Sequence, residues 1–180
     1  MIKKMKKSVF ITAVSGSGKS TVCKALTELG YEAYDIEGIP GLFSLVDEDT
    51  DQVISREVGD LKEGLNADWI CNIKKLETII ANQKSEVAFY CGGTSRTEEL
   101  MAVFDYTIVL QVSDETTRAR LSTRSAGEFG STEAARDWVM SWKHRVEADW
   151  LAAGGISIDA EPEPSKVAQS IVDELANVWR

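Results

Sequence analysis

Near-continuous apolar runs alternate along this chain with stretches of helical periodicity. Val9-Phe10-Ile11-Thr12-Ala13-Val14, residues 86–91 and residues 106–112 read as strands buried on both faces. Val22, Ala25, Leu26 and Leu29 recur at i, i+3, i+4 and i+7 in a helix from Lys19, which Gly30 ends. A short strand over 32–35 follows, and residues 41–83 read as mostly helical. Thr94 is placed to cap a helix running to about Phe104. Ser113 caps another to Thr123, with Asp114 and Glu115 favourable in its first turn. After a break at 125–131 a long helix runs to about Ala152 and stops at Gly154-Gly155. Ile156-Ser157-Ile158 is a last short strand. Ser165 opens the final helix, with Val167, Ile171, Val172, Leu175 and Val178 as its core stripe. Strands that alternate with helices predict one α/β domain over 1–180, a three-layer fold with a five-stranded parallel sheet and right-handed helical crossovers on both faces.

Ligands of such sheets sit beyond the carboxyl ends of the strands. The segments following strands are 16–20, 35–38, 91–95 and 159–162, so the candidate chemistry gathers on one edge. The most constraining of them is Ala13-Val14-Ser15-Gly16-Ser17-Gly18-Lys19-Ser20, a phosphate-binding loop between strand and helix. Its backbone N–H groups point inward, the helix dipole adds positive charge, and Lys19 reaches the outer phosphates. Ser15, Gly16, Ser17, Gly18, Lys19, Ser20 and Thr21 are the expected nucleotide contacts, with Ser20 placed to coordinate Mg²⁺. A plain glycine-rich helix cap explains the glycines but not the Lys19-Ser20 pair. Ala13 stands where the usual pattern has glycine, which is compatible with a strand end at negative φ.

Composition narrows the partners. A net charge of −9 disfavours broad nucleic-acid binding. Cys23, Cys71 and Cys91 are odd in number and lack metal-ligand spacing, which fits a reducing, cytoplasmic setting without disulfides. No apolar stretch approaches the ~20 residues a membrane span needs, and the apolar run after Lys3, Lys4, Lys6 and Lys7 ends in the phosphate loop, unlike a signal peptide. The acidic run Asp47-Glu48-Asp49-Thr50-Asp51 reads as a solvated loop, with a surface for a cationic substrate as its rival. Trp138, Trp142 and Trp150 read as a core stripe rather than a ligand platform, and His144, the sole histidine, as a surface residue.

The loop, together with Val112-Ser113-Asp114-Glu115 leading into Arg120-Leu121-Ser122-Thr123-Arg124, resembles the nucleoside-monophosphate-kinase-like branch of P-loop kinases, which includes adenylate, shikimate and gluconate kinases. The resemblance implies strand order 2-3-1-4-5, an ATP-binding core, a helical acceptor-binding insertion at 41–83 and a lid at 125–132 holding Gly127 and Gly130. It implies that Arg120 stacks on adenine, that Arg124 contacts the transferring phosphates, and that Arg136 is a second lid-side arginine. Spacing agrees in part, because Arg120 and Arg124 share a helix face. Asp35-Ile36-Glu37 is similar to the Asp-x-Asp of shikimate-type kinases. By that likeness Asp35 is general base or metal-side carboxylate and Glu37 an acceptor contact, and residues i and i+2 of an extended segment face the same way. Gly92 and Gly93 resemble the acceptor-side turn, and Ala160, Glu161 and Pro162 the adenine-side loop. Cys91 stands where a Walker B acid would be, which suits kinases whose metal is largely water-held.

The expectation is phosphoryl transfer from Mg·ATP to a small-molecule hydroxyl or phosphate by a monomer or homodimer. The alternative is a regulatory nucleotide-binding ATPase whose insertion binds a protein partner. The guanine-reading Asn-Lys-x-Asp of a GTPase switch is missing. The acceptor is not legible; Trp69, Asn66 and Asn72 either line its pocket or pack and cap helices.

Overall fold

The computed structural model describes residues 6–57 and 64–179. Residues 58–63, inside the insertion expected to be helical, lie outside the described residues. The central sheet comprises β1 (Lys7–Ala13), β2 (Glu32–Asp35), β6 (Val87–Cys91), β7 (Tyr106–Gln111) and β8 (Ile156–Asp159), all parallel, in the order β2-β6-β1-β7-β8. Counting only these five strands along the chain, the order is 2-3-1-4-5. The labels skip because three further strands form a sheet of their own.

β1 lies in the middle, paired on both sides, and its residues from Ser8 to Ala13 are buried. Its pleat divides the core. Val9, Ile11 and Ala13 face one layer with Val22 and Leu26 of α1 (Lys19–Glu28) and Ile171 of α6 (Pro164–Val178). Phe10 faces the other with Leu45, Trp69, Leu100 and Val139, the last on α5 (Glu133–Ala152). α4 (Asp114–Ser122) starts at Ser113, whose hydroxyl accepts from the Thr116 N–H at 3.1 Å, as its sequence signalled. Among the described residues no helix is long and apolar enough to cross a membrane.

The insertion departs from its expected form. Residues 41–83 hold β3 (Phe43–Asp47), β4 (Val53–Ser55) and β5 (Ala67–Cys71) in a separate antiparallel sheet, β4-β3-β5, and only α2 (Ile73–Ala81) is helical. The reason lies in the acidic run. Asp47 Oδ1 accepts hydrogen bonds from the Asp49 and Thr50 N–H groups and from the Thr50 hydroxyl, and Asp51 takes φ 54°. Such local side-chain bonds compete with a helix and close a turn. The run is therefore a hairpin turn. Asn72 caps α2, accepting from the Lys75 N–H at 3.1 Å, and Asn66 donates to Asp49 at 2.9 Å.

Thr94 does not cap a helix. Its hydroxyl donates to the Trp69 carbonyl at 2.6 Å, and the Ser95 hydroxyl accepts from the Trp69 N–H at 3.0 Å. These bonds tie the small sheet to the end of β6, and α3 shortens to Thr97–Met101. The other end of that hairpin-bearing segment is held through Glu32, whose carboxylate accepts from the Tyr34 hydroxyl at 2.6 Å and from the Lys84 and Ser85 N–H groups. Burial alone would raise its pKa; these hydrogen bonds outweigh that and hold it at about 2. A depressed carboxyl adds stability above its unfolded value that is lost as pH falls toward the folded one. Glu32→Gln is expected to lower the melting temperature at neutral pH, with the gap to wild type closing between pH ~4.3 and 2; thermal unfolding across that window checks it.

Candidate active site

The phosphate loop leaves β1 at Ala13. Gly16 and Gly18 take φ 91° and 93°, the left-handed region, and Ala13 does not, so a side chain is accommodated at the loop's first position. No side chain caps α1 at Gly18, which leaves the N–H groups of its first turn open. Lys19 Nζ turns back to donate to the Ala13 carbonyl at 3.0 Å. A cavity of about 300 Å³ opens here, lined by the loop, by Ser20 and Thr21, and by Arg120 and Arg124. Arg124 donates to Ser15 Oγ at 3.0 Å and to the Phe129 carbonyl, joining the loop to the 125–132 segment.

Arg120 bridges the Ser17 carbonyl at 3.3 Å and the Ala160 carbonyl at 3.2 Å. It lines the phosphate cavity and also an adjoining one of about 170 Å³ between Ser17, Thr21, Ala160 and Pro162. Ala160 and Pro162 thus stand where the sequence put them, beside the loop. Glu161 is turned away: its carboxylate accepts from the Ser113 N–H at 2.6 Å and the Thr116 hydroxyl at 2.7 Å, locking the start of α4. Arg136 lines none of these cavities and donates to the Ser131 carbonyl at 2.8 Å. The ion pair on this flank is Arg118 with Asp137, at 2.7 Å.

A third cavity, about 330 Å³, lies between the loop, the small sheet and α5. Glu37 enters it from a 3₁₀ turn (Ile36–Gly38) and stands 4.0 Å from Lys19 Nζ. Burial raises the Glu37 carboxyl above its ordinary value, Lys19 opposes that, and the nearby Asp35 charge adds to it. Asp35 itself does not share the cavity. It ends β2, exposed, next to Cys23 and Cys91 on the α1 side. The expectation that both carboxylates enter one cleft assumed an extended chain; the 3₁₀ turn beginning at Ile36 breaks that alternation.

Gly92 and Gly93 also separate. Gly93 lines the cavity, its Cβ direction 3.6 Å from Lys19 Nζ. A Cβ on Gly92 would lie 2.6 Å from Ile36 Cγ1, so its bareness seats the turn that carries Glu37.

The AAA domain family matches residues 9–140 of the chain. The chain belongs to that family. Two curated relatives, each called a nucleotide-binding protein, from two strains of Neisseria gonorrhoeae, are 26% identical over 141 residues, 76% of this chain and 45% of theirs. This AAA domain chain therefore spans less than half the length of the curated relatives it matches. Its fold is that of P-loop kinases for small molecules. A gluconokinase from Sinorhizobium meliloti superposes with TM-score 0.60 at 16% identity, covering 98% of this chain and 95% of that one. A shikimate kinase from Acinetobacter baumannii in complex with shikimate gives 0.57 at 16%, covering 97% and 95%. A deoxyadenosine kinase from M. mycoides gives 0.52 at 16%, covering 95% and 99%.

Five side chains of the AAA domain's site escaped the sequence reading. Trp138 and Trp142, read as core, line the Glu37 cavity with Phe129, and Trp150, 8% exposed, packs in the core and borders the same cavity. The turns of α5 from Trp138 to Trp142 thus border the site. Arg145, one turn further on, lines the cavity as well. Leu121, fully buried, wedges between the loop and the 125–132 segment: a Cβ on Gly16 or Gly130 would come within 3.0 Å or 2.8 Å of its side chain. Trp69 does line the pocket, and His144 lies on the surface against Asp114 at 2.9 Å, as the sequence suggested. Because Glu37 has a raised pKa, the folded state is favoured while the carboxyl is protonated, and stability is lost as pH rises from the ordinary carboxylate value through the raised one. Glu37→Gln is expected to raise the melting temperature at neutral pH and to leave it unchanged below pH ~4, where wild type is protonated too; thermal unfolding from pH 4 to 8 measures the difference.

Proposed function

We propose that this protein transfers a phosphoryl group from Mg·ATP to a small-molecule acceptor bound in the cavity that holds Glu37. The observation that carries the reading is shared lining: Ser15 and Lys19 border both the phosphate cavity and the acceptor-side cavity. Two sites that meet at one lysine bring a donor phosphate and an acceptor oxygen together, which is most of what phosphoryl transfer asks of a protein.

The residues fit the nucleotide. The open first turn of α1 and the two left-handed glycines present N–H groups to phosphate oxygens. The Ser17 hydroxyl is buried, with no hydrogen-bond partner among the described residues. Ser15 to Thr21 hold the phosphates, and Arg120, Ala160 and Pro162 border the base, with the Glu161 backbone between them. Ser20 is the protein's ligand to Mg²⁺. Among the described residues no cluster of three or more His, Cys, Asp or Glu side chains is placed to hold a metal, so Ser20 would share it with phosphate and water. Bound Mg²⁺ supplies neutralisation of phosphate charge. Asp35, exposed at the end of β2 and outside both cavities, is given no part in the transfer.

Lys19 and Arg124 face the γ-phosphoryl group and stabilise charge spreading onto its oxygens. Glu37, beside Lys19, orients the acceptor hydroxyl and accepts its proton as the acceptor oxygen bonds to phosphorus and the bond to the departing ADP breaks. Gly93 allows the acceptor to approach the backbone, and Arg136 steadies the lid through Ser131. The competing reading is a nucleotide-binding regulatory ATPase whose insertion binds a protein partner; the curated relatives are named only as nucleotide-binding proteins. Lys19→Ala is expected to lower acceptor-dependent ADP formation on the order of 10³-fold without unfolding the chain. ADP release coupled to the appearance of a phosphorylated product measures it. An active variant, or hydrolysis indifferent to every acceptor, would contradict the proposal.

A further inference from the structure

We infer that the acceptor is a planar, nitrogen-bearing aromatic compound carrying a free hydroxyl, held with its ring among Trp69, Phe129, Trp138 and Trp142. This rests on the kinase reading above and concerns only which acceptor the Glu37 cavity takes.

The wall of that cavity is aromatic on two sides. Phe129 and Trp138 meet edge to face with centroids 5.8 Å apart, and Trp138 and Trp142 likewise at 5.9 Å. Edge-to-face pairing leaves ring faces free to take a third ring. Trp138 and Trp142 are only half-buried, so apolar ring surface is left in contact with water in a cavity of ligand size. Opposite them Trp69 is 5% exposed and stacks on Phe43, with centroids 5.6 Å apart. Its indole N–H is buried, makes no hydrogen bond of full geometry among the described residues, and lies near enough to Glu37 to favour that carboxylate's charge.

The charges select among flat ligands. Lys19 and Glu37 face each other at the end where chemistry occurs. Asp68 is already matched by Arg96 at 2.9 Å. That leaves Glu48 and Arg145, which line the cavity and form no ion pair or side-chain hydrogen bond among the described residues. One free acceptor group and one free donor group suit a neutral ring whose edge both donates and accepts hydrogen bonds. An acyclic polyhydroxy acid offers no ring to the tryptophans, and its carboxylate would find a single unpaired guanidinium. Nitrogen heteroaromatic alcohols of the nucleoside type and of the hydroxymethyl-pyridine type share the required chemistry.

The test supplies the full chain with Mg·ATP and, in separate arms, nucleosides, hydroxymethyl-pyridines, polyhydroxy acids and simple polyols, reading ADP release and the ³¹P signal of the product. Transfer to a nucleoside or a hydroxymethyl-pyridine is expected, and the responding arm identifies the source. For that acceptor Trp142→Ala should raise KM about tenfold or more with little change in kcat, as lost ring stacking does. Trp142→Phe should restore most of the affinity, and Arg145→Ala, at an exposed position that cannot unfold the core, should raise KM as well. Transfer only to polyhydroxy acids or polyols, or a KM untouched in all three variants, overturns the acceptor assignment alone. ATP hydrolysis with no phosphorylated product in any arm overturns the kinase reading and the acceptor assignment with it.

Discussion

Lys19 is held between two oxygens that compete for it. Its Nζ donates to the Ala13 carbonyl at 3.0 Å and stands 4.0 Å from the Glu37 carboxylate. The first contact is made inside the phosphate loop, and the second reaches across to the segment after β2. The lysine is thereby kept at the boundary of two cavities before any ligand enters. Everything that positions it is rigid: β1 is paired on both sides, α1 starts at Lys19 itself, and Gly16 and Gly18 make the turn that joins them. The open N–H groups at the start of α1 are a cost of this arrangement that a bound phosphate offsets.

Around that point the fold accepts further local strain. Glu37 is kept in a buried setting that opposes its ionisation, and only Lys19 and nearby N–H groups favour its charge. A pair arranged so is worth little to stability and much to chemistry. On the other side of the loop, Arg120 and Arg124 each spend hydrogen bonds on backbone carbonyls of separate segments, tying the loop to the 160 turn and to the lid. Leu121 lies between those arginines in sequence and fills the space between the loop and the 125–132 segment, so α4 ties the two together through packing as well as hydrogen bonds.

Much of this was legible in the sequence because it is local. The continuous apolar runs gave away β1, β6 and β7, the glycines and Lys19 gave away the loop, and the four-residue spacing of Arg120 and Arg124 placed both on one face. What was not legible depends on pairing at a distance or on where an element ends. The strands β3 and β5 are short and half-buried, and they become strands by pairing with each other, Leu45 opposite Trp69. The Asp35–Glu37 alternation failed at a 3₁₀ turn that no residue type announces. Trp138 and Trp142 share a stripe with Trp150, and the stripe cannot tell which turns of a helix lie over the sheet and which overhang the site. Gly92 illustrates the same limit: its glycine answers to Ile36, which lies 56 residues earlier in the chain.

The central claim is that one lysine joins a nucleotide site to an acceptor site. A crystal structure of the full chain with Mg²⁺ and a non-hydrolysable ATP analogue tests it most directly. The account predicts β- and γ-phosphates in the cavity between the loop, Arg120 and Arg124, with Lys19 Nζ moved from Ala13 onto the phosphates. It also predicts the base beside Ala160 and Pro162 and the γ-phosphate facing Glu37. Nucleotide bound elsewhere, or a γ-phosphate turned away from the Glu37 cavity with Lys19 still on Ala13, would contradict it.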